Sequence, residues 1–205
     1  MMNARILFIV CIALCGGCAL NTNQSSGLYV EARTASVFAG ACHYGSEYTT
    51  SGREAVMAWR FDEGFARGAE VVAFVSSGVN LAESSGDRQS VVYLGGALEA
   101  REPALERLRA QGHLGEILRV EEGALIRARG EEYEVIGGSD LHLKGELLLD
   151  RSCCSMPSQR WYSPLGTDAP GVVGNSDVFE CDVPALGVRF ARTGDNDAIV
   201  SSFAL

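Results

Sequence analysis

The chain has 205 residues, a formal net charge of −9 at pH 7 and 47% hydrophobic residues. This acidic balance argues against nucleic acid as a partner, because a protein that binds a phosphate backbone needs clustered positive charge. The length and the hydrophobic content predict one folded domain with a substantial core.

The first residues have the pattern of an export signal. Arg5 precedes an apolar run over residues 6–14. This run is about half of the ~20 residues that a membrane-spanning helix needs, so it suits the hydrophobic part of a cleavable signal. We predict a signal peptide over residues 1–17, which places the rest of the chain outside the cytoplasm.

A lipidation site follows the apolar run. Two small glycines stand directly before Cys18, which suits bacterial lipoprotein processing, although Cys15 stands where Leu is usual. We predict acyl chains on Cys18, a polar tether over residues 18–26 and attachment to the cell envelope through the lipid. Ala19, in place of Asp, favours the outer membrane of a Gram-negative host, with the protein facing the periplasm. An ordinary secretory signal and an uncleaved tether are the alternatives.

Alternating apolar and polar residues predict a sheet in residues 27–205. Over residues 27–38, Leu28, Val30 and Ala32 alternate with polar residues, which predicts a first strand with one buried face. Alternation also predicts strands at residues 55–61 and 141–149, and short apolar runs predict core strands at residues 71–75 and 91–94. Segments between turn sequences predict strands at residues 117–120, 124–129 and 133–136, and residues 179–181, 188–190 and 199–203 are expected to close the sheet.

One helix is predicted near residues 103–111, starting at Pro103 and ending at Gly112. Gly-containing turns between the strands that follow it predict an antiparallel meander. Residues 151–180 are rich in Ser, Pro, Gly and Asp, which predicts a long structured loop. The predicted class is therefore α+β, predominantly antiparallel sheet with one short helix, in a single domain.

The predicted body keeps four cysteines, namely Cys42, Cys153, Cys154 and Cys181. In an oxidising compartment an even set predicts two disulfides, and sequence does not choose among the three connectivities. The adjacent pair seldom bonds to itself, so each member is expected to reach one of the other two cysteines.

Two segments carry donors for a soft metal ion. Cys42 and His43 lie between the first two strands, while Cys153, Cys154 and Met156 lie in the predicted loop. Thiolate, thioether and imidazole favour Cu(I), and Zn(II) is compatible if the thioether is not used. Their spacing matches no established metal motif, and structural disulfides with an inert methionine are the alternative.

No motif assigns a catalytic residue, so the sequence favours a non-enzymatic protein. Cys42 as a nucleophile has only the adjacent His43, which points the other way in an extended chain. We interpret His142 as a solvated strand residue and His113 as a cation at a helix end. Trp161 and Tyr162 are candidates for a ligand pocket or for pinning a loop to the core.

An oxygen-rich run, residues 195–197, is similar to the start of a calcium loop. The rest of the twelve-residue frame, with its terminal Glu, is missing. We therefore expect a turn before the last strand.

The motifs together resemble a widespread bacterial family of proteins of unknown function. They are the G-x-Y-x-E strand from Gly27 to Glu31, the turn containing Cys42 and His43, and a Glu63-Gly64 segment. The resemblance spans about residues 27–204. It implies metal or redox chemistry at the cysteine-containing turn, where similar proteins carry several cysteines and this chain has one.

The sequence therefore predicts an exported bacterial lipoprotein without an assigned function. Soft-metal handling is its sharpest hypothesis. The alternative is a non-enzymatic, disulfide-stabilised structural or interaction protein that contacts other envelope proteins.

Overall fold

The computed structural model describes residues 24–37, 51–83, 87–148 and 162–205. Strands account for 59% of this part of the chain, and its only α-helix has 13 residues. The protein is therefore essentially all-β, and the predicted α+β class is wrong. The helix covers part of one sheet face and forms no layer of its own.

Eleven strands are present among the described residues. In chain order they are β1 Ser25–Arg33, β2 Glu54–Gly64, β3 Ala69–Ser76, β4 Gln89–Gly96, β5 Glu116–Glu122, β6 Ala124–Arg129, β7 Glu132–Gly137, β8 Leu141–Leu147, β9 Gly171–Val183, β10 Val188–Arg192 and β11 Asp195–Ala204. The helix α1, Leu98–Ala110, follows β4, and a 3₁₀ turn, Pro184–Leu186, follows β9.

All eleven strands belong to one nearly closed sheet. Ten of them follow the order β5-β4-β3-β2-β1-β11-β9-β8-β7-β6, and β10 pairs with β9. The two end strands, β5 and β6, are consecutive in the chain and are joined at Gly123, whose φ of +106° suits glycine. The sheet thus curls until its second half packs against its first.

The inner face of this curled sheet forms one of the two main clusters of the core. Apolar side chains of β1 to β4 pack there against those of β6 to β9 and β11, including Val30, Val56, Phe74, Val91, Tyr93, Ile126, Val135, Leu143, Phe179 and Ala198. Burial of this apolar surface supplies the main stabilisation of the sheet.

The outer face of the first half is also covered. Ala104, Leu105 and Leu108 of α1 pack there with residues of β2 and β3, including Met57, Trp59 and Val71. The outer face of β1 is covered by residues 162–170, whose backbone contacts Tyr29 and Glu31. β1 is therefore buried on both faces, and the predicted single buried face is wrong.

Three further predictions about the elements need correction. The strand β5 pairs in parallel with β4 through the α1 crossover, so the meander begins only at β6. The helix begins at Leu98, with Pro103 inside it. The strand β9 begins at Gly171, inside the predicted long loop, because β8 and β11 flank it and supply hydrogen-bond partners on both sides.

Within the described ranges, no helix is long and apolar enough to cross a membrane.

Candidate functional site

The outer face of β1 carries a buried charged cluster, which we call the β1 cluster: Tyr29, Glu31 and Arg33. Alternate residues of a strand point to one face, so these three side chains lie side by side. None is more than 1% exposed. The Glu31 carboxylate accepts hydrogen bonds from the Tyr29 hydroxyl and from Arg33 Nε. Burial, together with the nearby Glu31 charge, raises the pKa of Tyr29 well above its ordinary value.

A loop of residues 162–170, the covering loop, closes over this cluster. Leu165 N donates to Glu31 Oε2 at 2.7 Å, and Arg33 Nη2 donates to the Ser163 carbonyl. The carboxylate therefore has hydrogen-bond donors on both oxygens, which compensates for its loss of hydration.

Gly166 is the point of closest approach between the covering loop and the sheet. Its N–H donates to the Tyr29 hydroxyl at 3.1 Å, and its carbonyl accepts from Trp59 Nε1 at 3.1 Å. A Cβ atom at this position would lie 2.5 Å from the Trp59 ring and 2.8 Å from the Tyr29 ring. Only glycine lets the loop backbone come this close to the two rings.

Two more polar side chains border the cluster. Arg88 donates through Nη2 to the Leu81 carbonyl at 2.9 Å. The ring of His113 stacks on Trp59, with 6.1 Å between the ring centroids. Burial lowers the pKa of His113, and the nearby Arg88 charge lowers it further. We interpreted His113 as a cation at a helix end, and the structure places its half-buried ring beside this cluster.

Tyr162 pins the covering loop, as one of its two interpretations predicts. The Arg33 guanidinium lies over its ring, 5.1 Å from the centroid. Its hydroxyl is 3.3 Å from Asn80 Nδ2, which donates to it. The strand residue His142 is 40% exposed and lies 3.1 Å from a Glu134 oxygen, so it is a surface residue.

The predicted metal ligands Cys42, His43, Cys153, Cys154 and Met156 lie outside the described residues. The lipidation site Cys18 and the aromatic Trp161 lie outside them as well. In the part of the chain that the structure describes, no group of three or more His, Cys, Asp or Glu side chains is arranged to hold a metal ion.

The described residues that flank the two metal-ligand segments lie close together. Val37 precedes the first segment, while Leu148 and Tyr162 flank the second. All three pack in one small hydrophobic cluster with Val173 and Ile199. The described residues at which the first segment begins and the second begins and ends are therefore close together.

The far end of the first segment returns to the same region. Ser51 Oγ lies 3.1 Å from Thr34 Oγ1, and Gly52 N donates to the Thr34 carbonyl at 3.1 Å. Thr34 follows Arg33 directly, so this end also lies beside the β1 cluster.

Cys181 is the one cysteine in the described ranges. Its thiol is free and buried on the inner face, and burial raises its pKa to about 12. It is thus an unreactive part of the core. Two disulfides would need Cys181 as well, so its free thiol leaves at most one bridge among the three predicted-body cysteines outside the described ranges. That bridge stays a prediction.

A second buried carboxylate lies on β11. Asp197 Oδ1 accepts a hydrogen bond from Ser176 Oγ, and Oδ2 has no partner in the described structure. Burial raises the pKa of Asp197 to about 8. The turn predicted at residues 195–197 is instead the start of β11, where the pairing with β9 shifts register.

A cleft of about 520 Å³ lies between the β7–β8 turn and β10. Leu141, Cys181 and Phe190 line it together with Glu134 and Asp140, among other residues. Both carboxylates already have partners: Asp140 accepts from Tyr93 and Arg119, and Glu134 contacts His142.

Sequence reasoning missed the β1 cluster. Alternation placed Tyr29, Glu31 and Arg33 on a polar face, which we expected to be in water. The available signal was an acid and a base two residues apart, flanked by apolar residues on a strand of high β propensity.

These observations define an all-β protein whose sheet carries a buried charged cluster beneath a loop. Comparison with known protein families, with curated proteins and with solved structures finds no match for the chain. The family resemblance therefore stays a prediction.

Proposed function

We propose that this protein is an exported, lipid-anchored envelope protein that binds a soft metal ion, Cu(I) or Zn(II). Its candidate ligands are Cys42, His43, Cys153, Cys154 and Met156. The anchor is Cys18, whose place after a short apolar run and two glycines supports export and lipidation.

One observation carries the metal proposal: Val37, Leu148 and Tyr162 pack in the same cluster. Cys42 is five residues from Val37, and Cys153 is five residues from Leu148. Five residues span about 18 Å at most, so a single ion is within reach of both segments. Without neighbouring anchor points, two segments so far apart in sequence would have no reason to share a ligand.

The donor set determines the expected chemistry. Cysteine binds metal as thiolate, so binding releases protons, and soft sulfur donors favour Cu(I) over hard cations. A site of this kind stores or transfers the ion by ligand exchange and forms no product. The role of the folded body is to hold the two segments close together outside the cytoplasm.

The test uses the full chain, expressed with its own leader and purified anaerobically without reductant. We expect about one equivalent of copper or zinc by elemental analysis, and thiols that alkylate in denaturant before any reduction. Metal is lost in Cys42→Ser and Cys154→Ser, because each removes a thiolate. The mass of the N-terminal peptide reports the acyl chains on Cys18.

Cys181→Ala is the matched control. Its thiol is buried in the core, and it is not one of the candidate ligands, so this variant should keep its metal. Thiols blocked until reduction, with no bound metal, would overturn the metal proposal. An unmodified N-terminal peptide would overturn the anchor separately.

The second candidate is a disulfide-stabilised envelope interaction protein. The 520 Å³ cleft favours it, because apolar Phe190 and charged Glu134 and Arg189 line the same cleft, a combination that suits docking of a partner. Blocked thiols without metal are the outcome that this candidate predicts.

A further inference from the structure

Two guanidinium groups beside the covering loop have hydrogen-bond donors without acceptors. Arg33 Nη1 and Arg88 Nε are both buried, and neither has a partner in the described structure. Arg33 itself is 1% exposed. An unpaired buried donor costs about 1–3 kcal/mol, and more on a charged group, so two in one place indicate a missing acceptor.

The two groups border one region. Arg88 donates to the carbonyl of Leu81, and the neighbouring Asn80 donates to Tyr162, whose ring covers Arg33. Gly52 connects the Arg88 side of this region with the Arg33 side. Its carbonyl accepts from Leu81 N at 2.8 Å, and its N–H donates to the carbonyl of Thr34, the residue after Arg33. These contacts connect the two arginines through neighbouring residues, and Arg88 lies close enough to Arg33 for that charge to lower the pKa of Arg88.

The charge of this site is not balanced. Arg33 pairs with Glu31, and both oxygens of that carboxylate already accept hydrogen bonds. Arg88 makes no ion pair with a carboxylate among the described residues. Two guanidinium groups and one carboxylate leave one positive charge in an otherwise acidic protein. A monoanion balances this charge, and a dianion would exceed it.

We infer that Arg33 and Arg88 bind a singly charged carboxylate, such as that of a small organic acid. A carboxylate has two oxygens, so it can accept from Arg33 Nη1 and Arg88 Nε together, which is the planar recognition that guanidinium groups favour. Arg88 is half-buried and forms the entrance, while the Tyr162 ring forms a wall. This site uses none of the metal ligands proposed above.

The probe is acetate, titrated into the full chain at constant ionic strength, with thermal unfolding and calorimetry as readouts. We expect a saturable rise in Tm, since a ligand that binds only the folded state stabilises it. Arg88→Gln removes the unpaired charge without touching the core and should weaken binding at least tenfold.

Arg60→Gln is the control, because Arg60 is a partly exposed arginine of β2 that pairs with Asp62. It should bind acetate as the unaltered protein does, and Cys42→Ser should do so as well. Acetate that gives no saturable effect, or the same affinity for Arg88→Gln, would overturn the site. Tighter binding of phosphate than of acetate would overturn the assignment to a monocarboxylate.

Discussion

Glu31 and Asp197 are two fully buried carboxyl groups on adjacent strands, and their surroundings differ. Glu31 has a guanidinium partner and hydrogen bonds on both oxygens. Asp197 has one hydroxyl donor, and its second oxygen has no partner in the described structure. Both are 0% exposed, so burial alone does not distinguish them.

The difference shows two ways of accommodating a buried acid. At Glu31 a cation and several hydrogen-bond donors replace the water that burial removes. Where such partners are missing, burial favours the neutral form, and the pKa rises to about 8 at Asp197. The first arrangement links distant segments, while the second makes stability depend on pH.

The largest expected effect comes from removing the charge of Glu31. Glu31→Gln leaves Arg33 as a buried cation without a counter-ion, and breaking a buried pair in this way costs about 3–5 kcal/mol. The free energy of unfolding from urea titration at pH 7 measures it.

Glu63→Gln provides the comparison, because Glu63 is exposed and accepts only a 3.3 Å hydrogen bond from Ser26. We expect a change below about 0.5 kcal/mol there. If the two variants lost equal stability, the β1 cluster would not hold a compensated charge.

At Asp197 we expect replacement of the carboxyl group by an amide to raise the free energy of unfolding, the opposite of its effect at Glu31. The pKa of Asp197 is higher in the folded state, about 8, than the ordinary 3.8, so the folded protein holds this proton more tightly. The stabilising contribution is complete below about pH 4 and is lost as the pH rises to about 8. Asp197→Asn removes this loss. We expect the variant to gain several kcal/mol over the unaltered protein at pH 8.5, up to about 6 kcal/mol, and little at pH 4.

The measurement is the difference in unfolding free energy between the two proteins at several pH values. Asp177→Asn is the matched control, because Asp177 is an exposed residue of β9, the strand paired with β11. A pH-independent difference for Asp197→Asn would contradict a protonated acid in the fold.

The smallest effect concerns the attachment of the covering loop. Trp59→Phe keeps an aromatic ring but removes the donor to the Gly166 carbonyl, at a cost of about 1–2 kcal/mol. Amide exchange in residues 162–170 should become faster. Met57→Leu, on the same strand and face, should leave that exchange unchanged. Unchanged exchange in Trp59→Phe would show that other contacts hold the loop.

Local patterns predicted much of the strand content. Alternation located the strands that contain Val30, Trp59 and Leu143, because a period of two is visible within a few residues. The same pattern assigned Glu31 to a solvated face. Glu31 is covered by Leu165, which lies 134 positions later in the chain, and no local pattern contains that information.

The sequence also did not predict how some strands pair or where β9 begins, because both depend on contacts that are distant in sequence. The parallel pairing of β4 with β5 depends on where α1 packs, which is a tertiary property. The start of β9 contains Gly171, Gly174 and Asn175, residues of low β propensity, and two neighbouring strands hold it extended. The candidate metal ligands lie outside the described residues, so their prediction is still open.

The pairing of the first and last strands sets the order in which the molecule can fold. Ser26 lies opposite Ala204 in the middle of the sheet, and Ser25 exchanges two backbone hydrogen bonds of 2.8 Å with Leu205. Contacts so distant in sequence slow folding, because the chain must close a large loop before they form. The centre of the sheet is therefore completed only after synthesis of residue 205. Until then the edge of β1 that faces β11 has no strand partner.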